Sequence, residues 1–273
     1  MKILLLDAYN LMYRARYSGM NKGEYSAVFT FFRGLRPLIE KFSPDNCYFV
    51  LEGKPVKRLE ADSSYKAQRV YTDEDNFSQQ RKIIIEIIKK YFPIKVVKHN
   101  DYECDDVINY LANSVYSEEE VTIISSDTDF IQSITETTKL YNPVIKDYVN
   151  NVSYDYVHWK SLVGDKSDNI TGFKGIGNKK AIQLLENKEK LNEFLLKENN
   201  KEKFNKNIFM IKFHDLQKDS EHLKFLSTGN TNWSDLKILF NNMSFNSIIA
   251  KEKTWNNYIE TFKNLERNIE NDN

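Results

Sequence analysis

Acidic residues follow several of the short apolar runs in this sequence. Asp7 ends the run ILLL, Glu52 ends CYFVL, and the pair Asp127 and Asp129 follows VTIISS. A chain this rich in acids should contain about five or six acid-x-acid pairs by chance, and this one contains eight. The spacing alone therefore indicates little. The position of the acids relative to the predicted strands has to decide what they do.

These positions predict a metal site. In an open α/β sheet, ligands bind beyond the carboxyl ends of the strands. Glu103, Asp105 and Asp106 begin a predicted helix after the third run, with the first and last one turn apart. Any single acid here is also explained as a helix N-cap or a favourable first-turn charge. Seven carboxylates at one rim, however, would repel by about 1 kcal/mol or more per close pair.

Such a cluster requires compensating cations. An all-oxygen ligand set without His or Cys indicates Mg²⁺ or Mn²⁺. Two divalent ions about 4 Å apart are the arrangement that uses this many acids. Asp127 and Asp129 are then explained together, because a second ion needs more than one carboxylate.

Apolar runs and helical patterns alternate through the first half of the chain. This predicts an α/β fold with a mostly parallel central sheet flanked by helices. The predicted strands are 3–6, 47–51, 94–97, 121–125, 139–141 and 145–149, and the predicted helices are 25–41, 76–91, about 103–116 and 154–163. The polar, basic stretch from 52 to about 71 is long for a loop and predicts a functional lid. The pattern changes near residue 153 and predicts two regions, 1–153 and 154–273, the second mainly helical.

Composition limits the function classes. Lys plus Arg and Asp plus Glu number 39 each, so the net charge does not indicate a partner. No apolar run reaches about 18 residues, which argues against a membrane span, and Asp7 interrupts the first run too early for a signal peptide. Cys47 and Cys104 lie far apart, which predicts a reducing compartment and no disulfide framework.

A glycine-rich turn lies in the second region. The stretch GFKGIGNKK, residues 172–180, precedes a predicted helix. Glycines let the backbone approach a phosphate, and a helix start offers free N–H groups. No Gly-Lys-Ser/Thr spacing of a P-loop is present, and an ordinary helix-turn-helix remains an alternative. Just upstream, VGDKSDNI places Asp165 and Asp168 on a short loop, either as turn formers or as further metal ligands.

Together these motifs resemble the 5′-nuclease family, which includes bacteriophage flap endonucleases and the 5′-nuclease domain of bacterial DNA polymerase I. The segments LLLDAYNLMYRA, LEGKPVKRLEADSSYKAQR, YECDDV, SSDTDF and VGDKSDNITGFKGIG follow the family's order between about residues 2 and 186. Two positions depart from it, since Glu52 replaces an Asp and Ala8 a Gly. The resemblance implies a PIN-like core with a helical arch, residues 53–74, then a helix–hairpin–helix (H3TH) module and C-terminal helices.

The resemblance also implies roles for individual residues. The first metal would use Asp7, Glu52, Glu103 and Asp105, the second Asp127, Asp129, Asp165 and Asp168, with Asp106 acting directly or through water. Lys66 and Arg69 would project from an arch helix onto the scissile phosphate, Tyr65 would stack near the terminal bases, and Arg14 would contact a phosphate or form a surface salt bridge. The duplex backbone would be gripped by Gly172, Lys174, Gly175, Ile176, Gly177, Lys179 and Lys180, with a K⁺ ion at this turn.

The arch is also basic, with Lys54, Lys57, Arg58, Lys66 and Arg69. Such a stretch can attract a single-stranded 5′ end, or it can be a solvated loop.

The implied function is a structure-specific 5′-nuclease, acting as 5′–3′ exonuclease or flap endonuclease with two Mg²⁺ ions that Mn²⁺ can replace. Its partners would be DNA with 5′ flaps, nicks or RNA primers, in replication or repair. We expect a stand-alone phage-type enzyme without a polymerase domain, monomeric, and cytoplasmic, in the host cytoplasm if phage-encoded. Alternatives are a non-catalytic protein that binds DNA junctions and a PIN-class ribonuclease. An aspartyl phosphatase is disfavoured, because Tyr9 stands where its Asp-x-Asp motif needs an acid.

Overall fold

The structure is a computed structural model that describes residues 1–18, 23–69, 76–197 and 199–272, with side chains up to residue 268. Within these ranges the strands are β1 (Lys2–Asp7), β2 (Asn46–Leu51), β3 (Lys95–Lys98), β4 (Glu120–Ile124), β5 (Thr138–Asn142), β6 (Asp147–Val149), β7 (Gly164–Asp165), β8 (Ile170–Thr171) and β9 (Lys224–Ser227). β7 and β8 form a separate two-stranded pair.

A seven-stranded sheet, in the order β6-β5-β4-β1-β2-β3-β9, forms the centre of the fold. β1 to β5 run parallel, and the edge strands β6 and β9 are antiparallel. The predicted mostly parallel sheet is confirmed. β1 and β2 are continuously apolar because both of their faces are buried. Since the strands are parallel, their carboxyl ends meet at one rim.

Helices cover both faces of this sheet. They are α1 (Ala8–Ser18), α2 (Ser26–Phe42), α3 (Val56–Ala61), α4 (Phe77–Tyr91), α5 (Cys104–Tyr110), α6 (Tyr156–Val163), α7 (Asn178–Glu186), α8 (Lys188–Leu195), α9 (Asn200–Ile211), α10 (Trp233–Asn242), α11 (Asn246–Ile249), α12 (Glu252–Glu260) and α13 (Lys263–Asp272). A π-helix, Leu111–Val115, extends α5, and 3₁₀ helices cover Thr128–Ser133 and Ser220–His222.

Two cores hold these layers together. On one face, α1, α2 and α4 pack with the C-terminal helices around Phe32, Phe92 and Phe240. The ring centroids of Phe32 and Phe92 are 5.2 Å apart. On the other face, α5 and the first 3₁₀ helix pack on the sheet through side chains such as Val107 and Phe130. In the part of the chain described, no helix is both long and apolar enough to cross a membrane.

The C-terminal region contributes directly to the core. β9 extends the sheet beside β3, although the sequence predicted helix there. Helices from α10 onward cover the face formed by α2 and α4. A four-residue strand has no periodic signal of its own, and pairing with β3 decides its conformation. The predicted division near residue 153 stays a prediction. Elements of the second region complete the sheet and the core of the first.

The arch differs from the predicted helical arch. Of residues 53–74, 56–61 form α3 and 63–68 form turns, while 70–74 lie outside the described residues. Lys66 has a left-handed backbone with φ of 55°. The helix ends because the Asp62 side chain accepts a 2.9 Å hydrogen bond from the Ser64 backbone N–H, which favours a turn. The prediction that Lys66 and Arg69 project from a helix is therefore wrong.

Candidate metal centre and nucleic-acid interface

The parallel sheet brings acids from three strands to one rim. Asp7 is the last residue of β1, and Glu52 directly follows β2. Asp127 follows β4 and also caps the next 3₁₀ helix by accepting a hydrogen bond from the backbone N–H of Asp129. The Ser125 hydroxyl donates a 2.7 Å hydrogen bond to Asp7 Oδ2, which joins the ends of β1 and β4. Asp127 therefore caps a helix and also belongs to the acidic cluster.

The start of α5 adds three more acids in two orientations. Glu103 is the N-cap and forms a reciprocal capping box with Asp106. Asp106 is fully buried and pairs with Arg58, with Nη1–Oδ2 at 2.7 Å and Nη2–Oδ1 at 2.9 Å. Asp105 lines the open cleft instead. Asp106 therefore orients Arg58 within the core, Asp105 is the acid of this helix start that lines the cleft, and Glu103 is buried against Arg58 and Lys66.

Arg58 does not belong to a basic surface. It is 3% exposed, and its Nη1 also lies 2.8 Å from Glu103 Oε2. Its Nε donates to the Met210 carbonyl at 2.9 Å, and its Nη2 donates to the Lys212 carbonyl at 3.1 Å. The structure contradicts the expectation that Arg58 helps attract a 5′ end, because every described contact of the side chain is internal.

Lys66 and Arg69 form ion pairs with acids of the site, and their expected contact with the scissile phosphate stays a prediction. Lys66 Nζ is ion-paired with Glu103 and lies 3.7 Å from Asp168 Oδ2. Arg69 Nη2 lies 2.5 Å from Asp168 Oδ1. Burial alone would lower the pKa of Lys66, but Glu103 and Asp168 outweigh it and raise the pKa, so the amine stays charged.

Lys160 is a cation of the site that the sequence analysis missed. It is ion-paired with Asp129, and its Nζ lies 2.6 Å from Asp165 Oδ2. The hydroxyl of Tyr156 also donates to Asp129 Oδ1, at 3.0 Å. A lysine inside the apolar pattern of α6, five residues before Asp165, was the available signal. Of the four acids predicted for the second ion, Lys160 thus links Asp129, which follows β4, to Asp165, which follows α6.

One further prediction about a single residue fails, and one stays a prediction. Tyr65 was expected to stack on bases, but it is 5% exposed, and its hydroxyl lies 3.0 Å from Glu103 Oε2 and 3.1 Å from Asp168 Oδ2. Its ring packs on Ile170 and Met210. Arg14 lines a groove between α1 and α2, and its expected contact with a phosphate stays a prediction.

Burial raises the pKa of several acids at the rim, and repulsion between them adds to the rise. Burial, more than any neighbour, raises the pKa of Asp7 to about 6 and that of Glu52 to about 7. Burial also raises the pKa of Asp105 well above its usual value, with further contributions from Asp127, Asp7 and Glu52. The pKa of Asp127 rises for the same reason, with Asp129 as the next cause. The rim therefore favours bound protons or cations.

The donor chemistry fits a divalent metal ion. Asp105, Asp127, Asp129, Asp165 and Asp168 line one cleft of about 330 Å³, and carboxylate oxygens suit Mg²⁺ and Mn²⁺. Cys104 Sγ lies 3.9 Å from Asp7 Oδ1, which the sequence argument overlooked. Burial raises the pKa of that thiol well above its usual value, so it remains protonated.

In the described residues, no three of these side chains already converge as a metal site. Several of their oxygens face lysine or arginine instead, namely those of Glu103, Asp106, Asp129, Asp165 and Asp168.

The glycine-rich turn connects α6 to α7 as a helix–hairpin–helix. Gly175 has φ of 77°, which favours glycine, and a Cβ on Gly172 would lie 2.0 Å from the Val163 carbonyl oxygen. Three lysines of this turn and helix start are exposed, namely Lys174, Lys179 and Lys180. Gly177 is the N-cap of α7. The Ile176 side chain is buried with Leu162 and Ala181, so only its backbone is left to contact a ligand.

These pKa shifts predict how stability depends on pH. In EDTA we expect the unfolding temperature to fall as the pH rises from about 5 to about 8. The folded state of Asp7 and Glu52 retains protons that the unfolded state has released, so their stabilisation is complete below about pH 4 and is lost through pH 6 to 7. Calorimetry across this range, with and without Mg²⁺, measures the effect.

Mg²⁺ should remove most of this slope, because it replaces the protons. His214 acts in the opposite direction, since burial lowers its pKa, but it is one group against several carboxyls. An unfolding temperature that rises with pH in EDTA would contradict the assigned shifts.

Comparisons with known proteins extend over the whole fold. The sequence matches the family 5′-3′ exonuclease, N-terminal resolvase-like domain, over residues 2–161, and the family 5′-3′ exonuclease, C-terminal SAM fold, over residues 153–247. DNA polymerase I of Treponema pallidum is 34% identical over 207 residues, 67% of this chain and 20% of that protein. The thermostable DNA polymerase I of Thermus thermophilus is 31% identical over 199 residues, 67% of this chain and 24% of that protein.

The chain thus spans about a fifth to a quarter of the length of these curated relatives. Among solved structures, the bacteriophage T5 flap endonuclease, in a pseudo-enzyme–product complex with DNA and metal ions, has a TM-score of 0.65. It is 18% identical, and the match covers 99% of this chain and 100% of that one. At this identity the likeness shows the fold, with its parallel sheet and C-terminal helical part.

Proposed function

This chain belongs to the 5′-3′ exonuclease family, and from that membership we propose that it is a structure-specific 5′-nuclease that hydrolyses phosphodiester bonds of DNA near 5′ ends. The observation that carries the proposal is that acids from the start of α5, from the segment after β4 and from the loop at 165–168 line one cleft that also contains Lys66 and Arg69. Cleavage of flaps, nicked duplexes and RNA primers during replication or repair would follow.

Two divalent ions, when bound, would supply an activated water and Lewis-acid stabilisation of the leaving oxygen. One would be held by Asp7, Glu52, Glu103 and Asp105, and the other by Asp127, Asp129, Asp165 and Asp168. We propose Mg²⁺ as the natural ion, with Mn²⁺ able to replace it. Asp106 contributes indirectly by holding Arg58.

The protein's own cations would neutralise charge at the phosphate. Lys66 and Arg69 line the cleft and would turn from their carboxylates toward nonbridging phosphate oxygens. Lys160 is placed to do the same beside Asp129 and Asp165. Such preorganised charges stabilise a transition state more than they would in water, because the cleft is partly shielded from solvent.

The helix–hairpin–helix would bind the duplex next to this cleft. Free N–H groups at the start of α7 and the exposed Lys174, Lys179 and Lys180 suit a phosphate backbone. A K⁺ ion bound by the turn would join protein and phosphate. We further propose a monomer that acts in the cytoplasm.

A cleavage assay tests the proposal directly. We expect Mg²⁺-dependent cutting of a 5′-labelled flap near its junction, and no cutting in EDTA. A nicked duplex and an RNA–DNA hybrid, assayed in parallel, compare the substrate classes. Equal binding of these substrates without cutting in Mg²⁺ or Mn²⁺ would favour a non-catalytic junction-binding protein. Preference for single-stranded RNA would favour a PIN-class ribonuclease, which normally lacks the arch and the glycine-rich turn.

A further inference from the structure

The arch is docked onto the loop that carries two of the predicted metal ligands. We name residues 62–69 the arch turn and residues 165–171 the ligand loop. The side chain of Gln68 donates from Nε2 to the carbonyls of Lys166 and Ser167, both at 2.9 Å. Gln68 itself is exposed, and its described contacts are with this backbone and with none of the acids. Its amide therefore joins two segments about 100 residues apart in sequence.

Two more hydrogen bonds join the same segments. Asn169 Nδ2 donates to the Ser64 carbonyl at 2.9 Å. The backbone N–H of Lys66 donates to the Asp168 carbonyl at 3.1 Å. Both Lys66 and Asn169 have left-handed backbones, with φ of 55° and 62°. The contact is thus a specific one made at several points along both segments.

A further ion pair anchors the start of the arch turn. Lys206, on α9, lies 2.8 Å from Asp62 Oδ2. Together with Asp62 and the base of the ligand loop, it lines a second cleft of about 340 Å³. This cleft and the acidic cleft lie on either side of Asp168, which lines both. The arch turn is therefore held both by the ligand loop and by α9.

Docking determines which groups surround the Asp168 carboxylate. Arg69 lies 2.5 Å from its Oδ1, while Lys66 and the Tyr65 hydroxyl lie 3.7 Å and 3.1 Å from its Oδ2. All three come from the arch turn. A divalent ion that used Asp168 would need the same two oxygens.

We infer that the docked arch turn and a divalent ion compete for Asp168, and that Gln68 is a positioning residue that sets the strength of this competition. The inference rests on the proposed function for the identity of the ion. Linkage between two competing binding events is reciprocal. A substitution that weakens docking of the arch turn must therefore tighten ion binding, and a bound ion must weaken docking by the same factor. The Gln68 side chain donates to two backbone carbonyls and, among the described residues, contacts no acidic or basic side chain of the cleft, so its removal isolates the docking step.

The test is a Mn²⁺ titration of the 273-residue chain without DNA, followed by electron paramagnetic resonance. In Gln68→Ala the dissociation constant for Mn²⁺ should fall about threefold to tenfold, the factor expected for losing one or two exposed hydrogen bonds. Lys206→Ala, which removes the anchor at Asp62, should change it in the same direction. Gln79→Ala is the matched control, since Gln79 is an exposed glutamine whose described bond is to Asn76 beside it.

Amide hydrogen exchange gives a second readout that does not depend on catalysis. In the wild-type protein, Mg²⁺ should accelerate exchange of the peptide covering residues 62–69, and in Gln68→Ala exchange should already be fast. An unchanged or weaker Mn²⁺ affinity in both variants, or slower exchange on adding Mg²⁺, would overturn the inference.

The assay on a 5′-labelled flap separates this failure from failure of the proposed function. Cutting with normal Mg²⁺ dependence, combined with an unchanged affinity in Gln68→Ala, removes only the competition. Absence of both metal binding and cutting in the wild type would remove both.

Discussion

Asp105→Asn is expected to lower the rate of Mg²⁺-dependent DNA cleavage by about 10³-fold or more, a loss of about 4 kcal/mol of transition-state stabilisation. Asp105 lies at the start of α5 and lines the acidic cleft. After burial, the main causes of its raised pKa are Asp127, Asp7 and Glu52, which end or follow three different strands. Its carboxylate shares one cleft with Asp127, Asp129, Asp165 and Asp168, which are the acids proposed for the second ion.

The same substitution should make the protein more stable in EDTA. Asn has nearly the same shape as Asp but carries no charge, so the repulsion from Asp7, Glu52 and Asp127 is removed. A higher unfolding temperature together with lost activity would separate a functional acid from a structural one. DNA binding in EDTA should be retained or strengthened, because one negative charge leaves a surface that approaches phosphate.

Single-turnover kinetics on a 5′-labelled flap, calorimetry in EDTA and fluorescence anisotropy measure these three quantities. Glu118→Gln is the matched control, because Glu118 is an exposed acid in the turn before β4. It should leave the rate and the unfolding temperature unchanged. A wild-type rate in Asp105→Asn would remove Asp105 from the catalytic machinery.

Lys66→Ala is expected to reduce the rate by about 10²- to 10³-fold, or about 3 to 4 kcal/mol, the usual effect of removing one preorganised charge from a reacting centre. Lys66 is ion-paired with Glu103 and faces Asp168 at 3.7 Å. Because both acids raise its pKa, it carries a full charge at neutral pH. Duplex binding should change little, since the exposed lysines of the helix–hairpin–helix turn lie elsewhere.

The control is Lys166→Ala, which removes an exposed lysine lining the same cleft. Anisotropy should give similar duplex affinities for both variants, and single-turnover rates should separate them. Equal rates in Lys66→Ala and the wild type would exclude Lys66 from the reaction. Equal losses in both variants would instead indicate a general attraction of DNA by positive charge.

Much of the architecture was predictable from local patterns. Short apolar runs between amphipathic helices predicted a parallel sheet, and acids after three of the runs predicted a common rim, because the carboxyl ends of parallel strands meet at one edge. The glycine-rich turn was predictable from its local sequence, because glycine adopts backbone conformations that a tight turn needs. Gly175 has a backbone conformation that few other residues adopt.

The partners of these acids were not predictable. Lys57, Arg58 and Lys66 are similar basic residues of one stretch, yet Arg58 is buried on Asp106 and Lys66 faces the cleft. The difference arises because α9 presents the Met210 carbonyl to Arg58, 152 residues away in sequence. Lys160 appeared as one charged residue in an apolar helix, and only the approach of Asp129 gives it a role.

The amino-acid sequence by itself determined the sheet, the acidic rim and the turn, because each depends on residues close together in the chain or on strand direction. The tertiary structure decided that Tyr65 is buried, that Lys224–Ser227 forms a strand, and that cations of the arch pair with Glu103 and Asp168. These outcomes depend on burial and on distances between remote segments. Local periodicity carries no information about either, so packing alone selects among similar charges.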